Sequence, residues 1–207
     1  MATTATPYRV LSRGDTIAMS VFFVAGAVFV VASAISAVSN IIGLFTGSAT
    51  RVFAEFAGTP AQAPIGPDGA SVTVELDSAY LLAERLPIAS VVALVLEQVV
   101  VVAAAATVVT TLLLVMWSIL RGRVFGRRNT TLVGTAATAG FAGVALAPFF
   151  GNMGANGAFA VISAGDFDNV ILSANLTQLF GIAFLGALGT TVFMVGDRMQ
   201  RDTEGLV

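Results

Sequence analysis

Two groups of residues in this sequence could do chemistry. Arg121, Arg123, Arg127 and Arg128 place four of the ten arginines within eight positions. That cluster suits phosphate oxygens or the acidic face of a protein, because a guanidinium fork binds such anions through two parallel hydrogen bonds. Glu97 is the one ionisable residue inside a long apolar run, and Gln98 follows it. A carboxylate in that setting is a candidate proton or ion site, to which folding could bring the amides of Asn40, Asn175 and Gln178.

Little else in the chain is reactive. It has no His, Cys or Lys, which removes the usual ligands of zinc, copper, haem and iron–sulfur centres, as well as Schiff-base and disulfide chemistry. Intramembrane aspartyl chemistry needs two carboxylates inside apolar runs, and no aspartate lies in one. The expectation is a non-enzymatic chain with no cofactor, no metal and no direct nucleic-acid contact.

The elements that must position these residues are membrane helices. Hydrophobic residues make up 57% of the chain and charged residues 11%, against about 25% charged in a soluble domain. Too little polar surface remains to cover a water-soluble fold, so the chain reads as an all-α integral membrane protein, a bundle of four transmembrane helices forming a single domain. Spans are expected at about 16–45, 88–120, 130–150 and 170–196. The first holds 29 uncharged residues from Ile17 to Phe45, or ~43 Å of helix against a hydrocarbon core of ~30 Å. Its start is expected at Asp15 and Thr16, which suit an N-cap. The alternative for this stretch is a leader peptide, with Arg9 and Arg13 ahead of an apolar segment and Ala32-Ser33-Ala34 as the cleavage site.

The connections at 46–87 and 151–169 are polar and carry Pro60, Pro64 and Pro67. Ser71-Val72-Thr73-Val74-Glu75-Leu76 alternates as a half-buried strand does. A lone strand is unstable, and Phe159-Ala160-Val161-Ile162 is the expected partner in a small extracytoplasmic β cap. The 151–157 stretch, rich in glycine after Pro148, reads as a flexible link, and the tail from Asp197 onward as a short disordered end. Ala139, Gly143 and Ala147, and likewise Ala183, Gly186, Ala187 and Thr190, are small-residue faces expected to meet inside the bundle.

Four spans put residues 1–15, 121–129 and 197–207 on one side, with eight arginines, and 46–87 and 151–169 on the other, with only Arg51 and Arg85. The positive-inside rule then predicts a cytoplasmic membrane with both termini and the 121–129 loop in the cytoplasm. Glu97 lies 24 residues before Arg121, ~36 Å along a helix, which places it at the outer interface rather than the midplane. The arginines themselves serve as a topology determinant and headgroup anchor, or as a binding site for anionic lipid or a cytosolic partner.

An apolar span leading into Arg121-Gly122-Arg123-Val124-Phe125-Gly126-Arg127-Arg128-Asn129, followed by a further span in a four-span chain of this length, resembles a bacterial membrane family catalogued as domain of unknown function twenty-nine seventy-five. The ending Gln200-Arg201-Asp202-Thr203-Glu204-Gly205-Leu206-Val207 is similar to tails of its high-GC Gram-positive members. The family has no established activity. The resemblance implies a four-span topology and, because members are often encoded beside a small helix-turn-helix regulator, a membrane protein that holds or signals to a DNA-binding partner. It transfers no site residue.

The leading expectation is therefore a multi-pass membrane protein whose outer cap senses or packs and whose arginine loop contacts a cytoplasmic partner. The alternatives are a small transporter or permease-like subunit using Glu97 and Gln98, and a structural subunit assembled with other membrane proteins.

Overall fold

The computed structural model describes residues 12–46, 49–167 and 175–204. In chain order these are helix α1 (Arg13–Thr46), strands β1 (Thr50–Ala63) and β2 (Val72–Ala83), and helices α2 (Ile88–Leu120), α3 (Arg127–Ile162) and α4 (Leu176–Glu204). All four helices are long and apolar enough to cross a membrane. At 34, 33, 36 and 29 residues each exceeds the ~20 residues that a ~30 Å hydrocarbon core requires. The chain is thus mostly helical, with a two-stranded sheet as its one departure among the described residues.

Helix α1 begins one turn earlier than expected. Ser12 is the cap: the Asp15 amide donates to Ser12 Oγ and the Ser12 amide donates to Asp15 Oδ2, both at 3.1 Å. This is a reciprocal capping box with aspartate in the acceptor position, and it satisfies two donors the helix leaves free.

The sheet corrects the expected pairing. The partner of β2 is β1, not residues 159–162. The two strands run antiparallel from Thr50↔Ala83 to Ala63↔Val72, with a bulge between Glu55 and Thr59 where Gly58 takes φ +66°. A tight turn at Pro67–Gly69 joins them; Asp68 and Gly69 take φ +57° and +78°, and the Ala70 amide donates to the Pro67 carbonyl at 3.0 Å. A hairpin closes its ladder locally, whereas pairing with 159–162 would have required a distant segment to give up helical hydrogen bonds.

Residues 159–162 are instead the last turn of α3. The helix does not stop at Pro148, and the glycine-rich stretch after it is helical. Those glycines serve close approach. Gly151, Gly154 and Gly157 recur every three residues, and a Cβ at each would meet Glu97, Leu94 or Ser90 of α2. Removing the side chain lets the two backbones approach, which is how small residues act between membrane helices.

The chain forms two compact units, each drawing on several helices. In the hairpin unit (36–100 and 145–175), Val52, Ala54 and Ala83 pack with Leu94 of α2 and Ala155, Ala158 and Phe159 of α3. Phe159 sits edge-on to Phe56 at 5.2 Å and lies 5.1 Å from Phe167. Strand alternation explains the split: Val52 and Ala54 face this core, while Arg51 and Phe53 at the alternate positions are exposed.

In the arginine-loop unit (1–35, 101–144 and 176–207), helices meet through small residues. A Cβ on Gly143 would stand 2.6 Å from Ala104 of α2, so that glycine does not face α4 as expected. Helix α4 meets α3 instead through Gly186 against Ala137, Gly189 against Val133 and Thr190 beside Gly134. Ala183 and Ala187 are exposed. The expected α4 span began at 170, and residues 168–174 lie outside the described residues. Beyond Gly196 the helix continues to Glu204, and Arg201 pairs with Asp197 one turn earlier, so 197–204 are helical where a short disordered end was expected.

Candidate functional site

The hairpin unit contains a cavity of about 650 Å³, walled by the end of α1, the start of β1, Tyr80 of β2 and the third turn of α2. The expected site residues Glu97 and Gln98 both line it. Asn40 joins them: its Nδ2 donates to Gln98 Oε1 at 3.1 Å. Asn175 and Gln178 are not among its lining residues.

Glu97 has no hydrogen-bond or ion-pair partner among the described residues. Its carboxylate lies over Gly151 of α3, where a Cβ would stand 3.3 Å from Cδ and from both oxygens. It also lines a second cavity of about 290 Å³ with Phe53, Glu55 and Asn152. Glu97, Leu94 and Phe53 are common to both spaces.

Sequence reasoning missed Arg51, Phe53 and Tyr80. The Arg51 guanidinium lies 3.9 Å from the centre of the Tyr80 ring, and Phe53 meets the same ring edge-on at 5.5 Å. The pairing Phe53↔Tyr80 places the two rings directly across the ladder, with Arg51↔Leu82 next to them. The signal for them is the alternation Arg51-Val52-Phe53-Ala54-Glu55, a strand pattern that the prolines following it mask.

The second candidate is the arginine loop. Helix α2 ends in a Schellman motif: Gly122 takes φ +78°, its amide donates to Ile119 O at 2.9 Å and the Arg123 amide donates to Ser118 O at 3.0 Å. The Arg123 carbonyl then accepts from Ser118 Oγ at 3.1 Å and from Asn129 Nδ2 at 2.8 Å, and Asn129 Nδ2 also donates to Val124 O at 3.0 Å. Asn129 is only 2% exposed. Phe125 closes the loop against Phe193 at 6.0 Å and occupies the space over Gly196.

All four arginines, Arg121, Arg123, Arg127 and Arg128, are exposed. Arg121 stacks on Trp117 at 4.5 Å. Arg127 and Arg128 occupy the first turn of α3, which holds no acidic residue. Cations at a helix N-terminus oppose its dipole, at a cost of about 0.3–1 kcal/mol each, so the helix itself gains nothing from them. The loop is therefore a pinned backbone that displays cationic heads. Among the described residues no metal-binding cluster of acidic side chains occurs. Compared with protein-family models, with curated proteins and with solved structures, this chain finds no match.

Proposed function

We propose that the chain is a non-enzymatic four-span protein of a bacterial cytoplasmic membrane, with the arginine loop and both termini in the cytoplasm and the hairpin outside. In this reading the loop docks an acidic cytoplasmic partner, and the hairpin unit senses the outside. The observation that carries it is the loop's construction: four exposed cations on a backbone fixed by Asn129, Ser118 and Gly122. A topology determinant needs only the charges, whereas a docking platform also needs them held in place. The family resemblance suggests a small helix-turn-helix regulator as the partner.

Recovery of bound proteins from tagged protein in gentle detergent tests this. Arg127→Glu with Arg128→Glu should remove a co-purifying cytosolic protein while insertion persists, judged from membrane-fraction yield. Unchanged recovery contradicts the reading. Retention of anionic lipid in place of a protein would assign the arginines to headgroups.

One observation favours a transporter: the Glu97 carboxylate opens on two cavities and has no partner among the described residues. Against it, the stretches 16–35, 101–120, 130–144 and 176–196 contain no ionisable residue. The hydroxyls of Thr107, Thr111, Thr135 and Thr190 there are taken up by carbonyls of their own helices at 2.7–2.9 Å. A cavity without a polar continuation supports binding over conduction. Flux of solute or protons in proteoliposomes, lost in Glu97→Gln, would reverse that preference.

A further inference from the structure

We propose that the larger cavity of the hairpin unit is a binding site for a zwitterion, with an ammonium group at Glu97 and a carboxylate or phosphate at Arg51. The site stands whether or not the arginine loop holds a partner.

The two residues line one cavity and carry opposite charge, yet they are not within ion-pair distance of each other, and among the described residues neither has another ionic partner. Opposite charges sharing a partly desolvated space normally collapse into a pair, because their attraction grows as water is excluded. Here each is held apart by its own support. Tyr80, braced by Phe53, takes one face of the Arg51 guanidinium at 3.9 Å. Stacking uses the face and leaves the in-plane N–H groups, which match a carboxylate or phosphate. Gly151 lets the Glu97 carboxylate lie along α3.

The amide pair adds to the match. The Asn40–Gln98 bond uses one donor and one acceptor, and the two side chains retain the Gln98 amino group and the Asn40 carbonyl. That supplies a further donor for an anionic group and a further acceptor for an ammonium. A cavity of about 650 Å³ is in the range of small-molecule sites, and Leu44 and Phe53 in its wall suit a short hydrocarbon portion. A lone cation would leave Arg51 unmatched and a lone anion would leave Glu97 unmatched. A ligand carrying both neutralises the pair without moving either residue.

The same chemistry occurs in a free amino acid and in the phosphoethanolamine headgroup of a lipid. Calorimetric titration of the full chain in dodecyl maltoside, a detergent without charged groups, separates them, with L-leucine and O-phosphoethanolamine as probes and ethanolamine and inorganic phosphate as controls that each carry charge of one sign. Saturable binding of one zwitterion at least about tenfold tighter than either control supports the site. Preference for leucine assigns a soluble amino acid, and preference for phosphoethanolamine a lipid headgroup. Glu97→Gln, nearly isosteric, and Arg51→Gln should each remove that advantage, while Arg51→Lys, which keeps the charge without the fork, should retain part of it. Absence of binding by both zwitterions, parity with the controls, or insensitivity to Glu97→Gln overturns the proposal.

Discussion

Gly157 of α3 packs directly onto Ser90 of α2: a Cβ added to the glycine would collide with the serine Oγ, and Ser90 is 4% exposed. Gly154 against Leu94 and Gly151 against Glu97 repeat the relation along the same face. A stretch with the composition of a linker is thus a helix–helix contact, and the depth of that contact is set by absent side chains.

Enlarging that face should separate the helices. Gly157→Ala is expected to lower stability by about 1–3 kcal/mol, the usual cost of overpacking. Ser90→Gly in the same chain should recover part of the loss, because it removes the atoms that collide. Thermal unfolding in detergent of the two single variants and the double variant measures the coupling; strictly additive effects would argue against the contact.

Phe159 should be among the most costly truncations in the hairpin unit. It is 6% exposed and meets both Phe56 and Phe167, while Val161, two residues on, is 44% exposed. Phe159→Ala is expected to cost about 3–5 kcal/mol and Val161→Ala close to none. Unfolding midpoints of the two variants check this, and similar losses from both would contradict the helical placement of 159–162.

The chain has no cysteine, which makes the strand pairing directly testable. Ala61 and Val74 are register partners, so Ala61→Cys with Val74→Cys should form a disulfide on mild oxidation, given the short Cα separation of ladder partners. Val74→Cys with Val161→Cys should not. Gel mobility with and without reductant reads both.

Asn129 should govern the arginine loop without being part of the charge display. Asn129→Ala removes the donor to the Arg123 and Val124 carbonyls; Ser118 Oγ still holds the Arg123 carbonyl, so the expected loss is about 0.5–1.5 kcal/mol per hydrogen bond removed. If the loop docks a partner, co-purification should fall although all four arginines remain. A variant that loses stability yet keeps full recovery would show that the charges alone suffice.

The helices were legible because hydropathy over about 20 residues reports the bilayer thickness, a constraint that no tertiary detail overrides. The hairpin was half legible. The alternation at 71–76 is regular, but in β1 the bulge at 55–59 shifts the two-residue period, and Gly58 and Pro60 mask the remainder. The glycine face of α3 was misread because glycine marks both links and close contacts, and the distinction lies in whether a partner helix is there to be approached. At the site, Glu97 and Gln98 stood out by polarity in an apolar run. Arg51 and Tyr80 could not, since an exposed arginine and tyrosine in a polar connection acquire meaning only once the β1–β2 register places them beside α2.

The orientation of the two functional surfaces is the central claim, and single-cysteine labelling tests it most directly. Thr73 in the hairpin and Arg123 in the loop are both exposed, so Thr73→Cys and Arg123→Cys can be treated separately with a membrane-impermeant maleimide on intact cells. Labelling of Thr73→Cys in intact cells, with Arg123→Cys reacting only after permeabilisation, is the predicted result. Labelling of Arg123→Cys from outside would contradict it and remove the arginine loop from the cytoplasm.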